Sequence, residues 1–235
     1  MNWLILSLIS AVAMSLREFF AKKAGQTIPA LLISFGFSFL GFLIYLCICV
    51  FTRTYYPITP EFAKLILVAA VMDASANLLY ISALKNGDLS KTVPMLCFIP
   101  VIQLFVTPVL IHENLSLTGM LGVLVVVSGS YLLNIKTSSG VFSPFRAVLR
   151  DRNAMMMLGA ACIWGVSSSF HKMGIHKTDA LFWAVCECLV ISLFLLPFAY
   201  KSGKSKMNLT NMKKIILPAF FSSIAALSYF AGISL

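Results

Sequence analysis

Eight apolar runs dominate this chain and limit what it can become: about 3–24, 29–51, 63–84, 92–112, 116–135, 154–174, 179–200 and 213–235. Each is close to the ~20 residues that an α-helix needs to cross ~30 Å of hydrocarbon. Backbone N–H and C=O groups find no water in that layer, so each run must close its hydrogen bonds internally, as a helix. Composition agrees: 60% of the residues are hydrophobic and 11% charged, against roughly 25% charged in a soluble domain. The expected fold is all-α, a polytopic transmembrane helix bundle. The expected location is a membrane, with the chain crossing it several times, for which the cell (inner) membrane is the natural assignment.

The remaining bulk features exclude more than they assign. The formal charge of +10 is spread between the apolar runs, where basic residues set membrane orientation. No basic stripe interleaved with aromatic residues marks a nucleic-acid surface. Loops after the first, third, fifth and seventh runs carry more Lys and Arg, among them Lys136, Arg146, Arg150, Arg152, Lys201, Lys204 and Lys206; this biases the N-terminus outward. The start has no basic segment ahead of its apolar run, and Arg17-Glu18 stands where a cleavage site would, so the first run reads as a retained span. All six cysteines lie within apolar runs, where they pack as small apolar groups. Cys186-Glu187-Cys188 cannot close on one ion, because helical residues two apart diverge by about 200°. No metal ligand set and no cofactor is expected.

An internal repeat organises the chain. Phe20-Ala21-Lys22 aligns with Phe170-His171-Lys172, Ala30-Leu31 with Ala180-Leu181, and Lys64-Leu65-Ile66-Leu67 with Lys214-Ile215-Ile216-Leu217. The partner lies 150 positions later every time, from 20 to 170, 30 to 180 and 64 to 214. A register held over three successive runs is an organising signal. It divides the chain into a first copy of five helices at 1–135, a connecting loop at 136–153, and a second copy at 154–235 with three. An odd number of spans inverts the second copy in the membrane, the architecture of many secondary transporters, whose solute site lies where the copies meet. Eight helices are therefore present of an expected ten, the last two lying beyond residue 235.

Several segments carry a family resemblance. Ala161-Cys162-Ile163-Trp164-Gly165, followed by Phe170 and Lys172, resembles the helix that opens each half of EamA proteins in the drug/metabolite transporter superfamily. Leu79 to Ser90, with Tyr80 and Gly87, resembles that family's junction between helices three and four. Pro100 falls where its fourth helix carries proline, and Glu113-Asn114-Leu115-Ser116 before Gly122 and Gly129 resembles its turn into helix five. The resemblance runs the length of the chain and implies ten helices in two inverted copies that move small metabolites. Two departures stand out: Met14-Ser15 replaces the Trp-Gly pair in the first helix, and the final two helices are missing.

Charge at membrane depth supplies the candidate site. An ionisable residue at the centre of a span costs about 2.5–3.5 kcal/mol and normally faces an interior or a solute path. Asp73 lies midway along the third run, with Asn77 and Tyr80 following at i+4 and i+7 on the same face. The alternative for Asp73 and Asn77 is an interhelical clamp. Glu187 is near mid-helix, with Trp183 one turn before it; Trp164 and Ser167 lie in the helix that opens the second copy. Asp73, Asn77, Tyr80, Trp164, Ser167 and Glu187 are the candidate substrate-binding residues. Pro94 and Pro100 remove backbone hydrogen bonds in the fourth helix and are candidates for a gating kink or a static bend. Arg17 reads as a snorkelling residue, Gly119, Gly122 and Gly129 as close-packing positions, and His112, His171 and His176 as too dispersed to form a cluster.

The expected activity is secondary transport of a small metabolite (amino acid, nucleoside, sugar or drug-like solute) by alternating access. The expected partners are the solute, the lipid bilayer and a coupling proton or Na+, in a single chain or a homodimer. No G-x-x-x-x-G-K-[ST] loop is present, so ATP does not drive it. A membrane enzyme or flippase acting on lipid or polyprenyl substrates is the rival, and it calls for clustered catalytic side chains at one interface. The sequence offers scattered ones instead, and no catalytic residue is expected.

Overall fold

The computed structural model describes residues 2–113, 116–134, 150–203 and 209–234. Those residues are helical, with no strand among them. The helices are α1 (Asn2–Gly25), α2 (Ala30–Thr52), α3 (Pro60–Asn86), α4 (Leu89–Thr92), α5 (Ile99–Leu110), α6 (Leu117–Asn134), α7 (Arg152–Ile175), α8 (Ala180–Gly203) and α9 (Leu209–Ile233); a 3-10 segment, Val93–Phe98, links α4 to α5. Seven spans are long and apolar enough to cross a membrane, with Leu89–Leu110 counted as one, and Leu117–Ser130 is a shorter apolar helix. The apolar runs thus become helices with ends displaced by a few residues. Asn114, Leu115, Lys136, Arg146, Lys204 and Lys206, with most of the expected loop at 136–153, lie outside the described residues.

Polar residues at the run edges fix several helix starts. Thr59 Oγ1 accepts the Phe62 N–H at 3.2 Å ahead of α3. Asp151 Oδ1 accepts those of Asn153 and Ala154 at 2.9 and 3.3 Å ahead of α7, and Asp179 Oδ1 accepts that of Phe182 at 2.7 Å ahead of α8. Each satisfies a first-turn donor left without an intrahelical acceptor, an effect of about 1 kcal/mol. At the other end of α2, Arg53 takes a left-handed conformation (φ 54) and returns its N–H toward the carbonyls of Cys49 and Val50.

The chain forms two compact units, with boundaries inside α3 and α7. The first comprises residues 1–74 and 170–235. In it α1 packs along α9, α2 along α8, and α9 also meets α2. Its core includes Tyr45, Phe62, Ile66, Phe182, Trp183 and Phe230. Polar groups within it are used across helices: the Tyr45 hydroxyl donates to the Ser223 carbonyl at 2.6 Å and Ser10 Oγ to that of Ala225 at 2.9 Å. Arg17 departs from the snorkelling expectation. It is 7% exposed and its guanidinium lies over the Phe37 ring, 5.8 Å from the centroid. Trp3, Leu8, Val12 and Phe19 are exposed, as residues facing lipid are.

The second unit, residues 75–169, is built on close backbone approach. Gly165 lets α7 meet α5: a Cβ there would lie 2.6 Å from Ile102 Cβ and 3.2 Å from the Ile99 carbonyl oxygen. Gln103 Nε2 donates to Ser168 Oγ at 2.8 Å across the same contact. Glycines expected to pack α6 do no such work, since a Cβ at Gly122 or Gly129 meets nothing within 4 Å. Gly165→Ala should therefore lower stability by about 1–3 kcal/mol through overpacking, while Gly122→Ala leaves it nearly unchanged. Thermal unfolding of the detergent-solubilised protein, followed by near-ultraviolet circular dichroism, separates the two; equal midpoints for both variants would refute the packing role.

Candidate functional site

Three helices of the first unit each deliver one ionisable side chain to a common point. Asp73 sits at the middle of α3, His171 one turn before the end of α7, and Glu187 two turns into α8. His171 Nε2 lies 3.2 Å from Asp73 Oδ2, and Nδ1 lies 3.4 Å from Glu187 Oε1. The imidazole thus bridges two carboxyl groups, one on each ring nitrogen. His171 and Glu187 side chains are each 4% exposed and that of Asp73 13%.

Trp183, one turn before Glu187 on α8, fixes the tautomer. Its indole N–H donates to His171 Nδ1 at 3.1 Å. An indole nitrogen only donates, so Nδ1 presents its lone pair and the ring proton is on Nε2, from which it is given to Asp73. Glu187 Oε1 lies 3.4 Å from the same Nδ1, so all four side chains meet in one network around the imidazole. Low dielectric strengthens every bond in it and makes any unpaired member costly.

Aromatic rings wall the cluster. Phe62 meets Trp183 edge-to-face at 5.7 Å, Phe230 lies 5.1 Å from the His171 ring, and Tyr56 packs on Phe182 at 5.6 Å. Phe62 also lines a pocket of about 600 Å³ with Pro57, Thr59, Pro60, Glu61, Lys177 and Thr178. Lys177 and Glu61 pair at 2.7 Å at its rim. Gly174 in α7 makes room for the indole: a Cβ there would overlap the six-membered ring of Trp183.

One ligand atom each from Asp73, His171 and Glu187 lies within 4.8 Å of the others, a separation a metal ion can span. The ring geometry does not suit a metal. A metal takes a nitrogen lone pair while the other nitrogen donates its N–H outward; here Nδ1 is occupied by the indole N–H and Nε2 carries the proton. The arrangement instead sets two carboxyl groups against one imidazole.

Of the residues selected from sequence, the structure brings Asp73 and Glu187 together. Tyr80 and Trp164 meet in the second unit, ring centroids 5.2 Å apart. Asn77 is half-buried on α3, and buried Ser167 donates to the Trp164 carbonyl at 3.4 Å. Pro94 lies in the 3-10 segment, its carbonyl accepting from Ser130 Oγ at 3.1 Å, and Pro100 opens α5. Sequence reasoning missed His171 and the role of Trp183. The available signal was the i, i+4 pairing of Trp183 with Glu187, which puts an indole donor beside a buried carboxyl.

The family model of EamA-like transporters matches residues 1–135 and 152–235. The chain belongs to the EamA-like transporter family. A relative from Bacillus subtilis (strain 168), the uncharacterized transporter YvbV, is 24% identical over 138 residues, covering 57% of this chain and 45% of the relative. The matched part thus spans less than half of that protein's length. A solved structure described only as a crystal structure of a protein shares the fold, with a TM-score of 0.69 over 97% of this chain and 79% of its own, at 15% identity. Membership of the EamA-like transporter family, with seven candidate spans among the described residues, makes this an integral multi-pass membrane protein.

If Gly174 is what seats the indole, Gly174→Ala should push Trp183 off Nδ1 and cost about 1–3 kcal/mol. The Trp183 contribution to the emission spectrum, taken as the difference from Trp183→Phe, should shift to the red. An unshifted spectrum would show that the indole is held by other contacts.

Proposed function

We propose that the chain is a secondary carrier of a small metabolite, working by alternating access, with residues 1–135 and 154–235 as inverted copies. The buried Asp73–His171–Glu187 network carries this reading. Three ionisable groups inside apolar helices, at a cost of about 2.5–3.5 kcal/mol for a carboxylate at mid-span, are a heavy burden for helix packing alone, which glycines and hydroxyls achieve elsewhere in the chain. Ionisable groups placed so mark ion and solute paths. Asn77, Tyr80, Trp164 and Ser167 are the proposed solute contacts, Tyr80 and Trp164 supplying a paired aromatic surface. Asp73 and Glu187, grouped with the solute contacts on sequence grounds, are assigned to ion binding rather than to the solute, and the break at Pro94 and Pro100 is the proposed gating element. Among the described residues the network lies inside the first unit, with the Phe62, Phe230 and Trp183 rings packed around it, which favours a carrier over an enzyme that needs an open catalytic face.

Proteoliposomes preloaded with unlabelled amino acids, nucleosides or sugars, and offered the labelled pool outside, test the reading by counterflow. One pool should exchange faster than in empty vesicles, and Trp164→Ala should raise its half-saturation concentration about tenfold, or about 1.4 kcal/mol. Exchange of no pool, together with accelerated flipping of a fluorescent phospholipid, would transfer the assignment to a flippase.

A further inference from the structure

We propose that Asp73, His171 and Glu187 are the coupling-ion site of this carrier and that the ion is a proton. The inference rests on the carrier reading above and selects between the two coupling ions the sequence allows. Sodium needs a cage of several oxygens around one point, whereas here an imidazole ring occupies the space between the carboxyls and holds one on each nitrogen. A proton needs only a chain of donors and acceptors, and the ring completes one. A proton arriving on Glu187 passes to Nδ1 as the Nε2 proton passes to Asp73 Oδ2. One O–H and one N–H bond break, one N–H and one O–H form, and a single charge has crossed the ring. With both carboxyls ionised and the ring neutral the network would hold two uncompensated negative charges in a low dielectric, and each bound proton cancels one.

Trp183 ties proton occupancy to packing. Its N–H donates to Nδ1 only while Nδ1 is bare; once Nδ1 is protonated the indole loses that acceptor. The indole is wedged against Gly174 and Phe62, and Phe62 lines the pocket at residues 57–62 and 177–178. Protonation of the ring therefore bears on a side chain one layer below that pocket. The other titratable groups that sense the network are the Tyr45 hydroxyl of α2, engaged with the Ser223 carbonyl, and the Cys188 thiol of α8. From α9 the Phe230 ring faces His171.

Proteoliposomes assayed with amino-acid, nucleoside and sugar pools under an imposed pH gradient, an imposed Na+ gradient, or neither test the proposal. In the wild type the pH gradient alone should drive accumulation of the exchanged pool. Asp73→Asn, His171→Gln and Glu187→Gln should cut that accumulation about tenfold or more while reducing counterflow far less, the signature of lost coupling. Trp183→Phe, a positioning change, removes a donor from the proton-free network and should move the pH profile of uptake toward alkaline pH by about one unit. Independently of any variant, adding the exchanged pool to wild-type protein in weakly buffered detergent should release or take up about one proton per chain, read with an indicator dye. Accumulation driven by Na+ alone, no proton movement in the wild type, or full pH-driven accumulation in all three variants would overturn the proton site and leave the carrier intact. Equal loss of counterflow and accumulation in the variants would move the three residues into solute binding and overturn it as well. Absence of wild-type counterflow with every pool would sink the carrier reading itself.

Discussion

His171 lets Asp73 and Glu187 occupy the same apolar neighbourhood, one carboxyl at each ring nitrogen. Two carboxylates within 4.8 Å of each other repel strongly where the dielectric is low, and neither can escape to water along a helix packed on several sides. A ring with a nitrogen for each carboxyl removes that conflict, and the indole of Trp183 selects which nitrogen keeps its proton. Three helix orientations follow from those bonds. α3 must present Asp73, α7 His171 and α8 both Glu187 and Trp183, the last two sharing a face because they are one turn apart.

The surrounding packing serves the same point. Asp179 caps α8 and so sets where its first turns begin, which places Trp183 and Glu187 along the helix. Gly174 opens the space the indole enters. Adding a methyl group there would be a packing change of the kind that costs little on a lipid-facing surface and a great deal here, because the displaced ring carries a hydrogen bond of the charged network.

Helix limits were legible in sequence to within a few residues because hydrocarbon imposes one length and one hydrogen-bonding solution. Asp73 was legible by depth alone: a carboxyl at the centre of a 27-residue helix has to be explained wherever it points. His171 was not, since its place near the end of α7 is one where a polar residue costs little, and its partners are on helices remote in the chain. Depth along a helix says nothing about which neighbour a side chain meets. Gly122 and Gly129 failed for the same reason: glycine spacing permits close packing, but only a neighbour realises it, and the close approaches are at Gly165 and Gly174 instead. Arg17, also near a helix end, looked able to reach an interface, yet it turns inward over Phe37.

The 150-residue offset gives the network a further meaning. On the proposed repeat, His171 corresponds to Ala21, Glu187 to Phe37 and Asp73 to Ser223, so the set related by that offset carries no ionisable member. At that second place Ser223 turns its hydroxyl to the Ala219 carbonyl and Phe37 lies beneath Arg17. Two inverted copies need equivalent backbones to exchange inward and outward conformations, but nothing requires equivalent side chains. On the proposed carrier reading, concentrating these ionisable groups at one of two related positions would confine proton exchange to that position. It also frees the other position to pack through an aromatic ring, a hydroxyl and one permanent cation. On that reading the related position holds a buried cation of its own, Arg17 over the Phe37 ring, and the two positions differ in the kind of charge they carry.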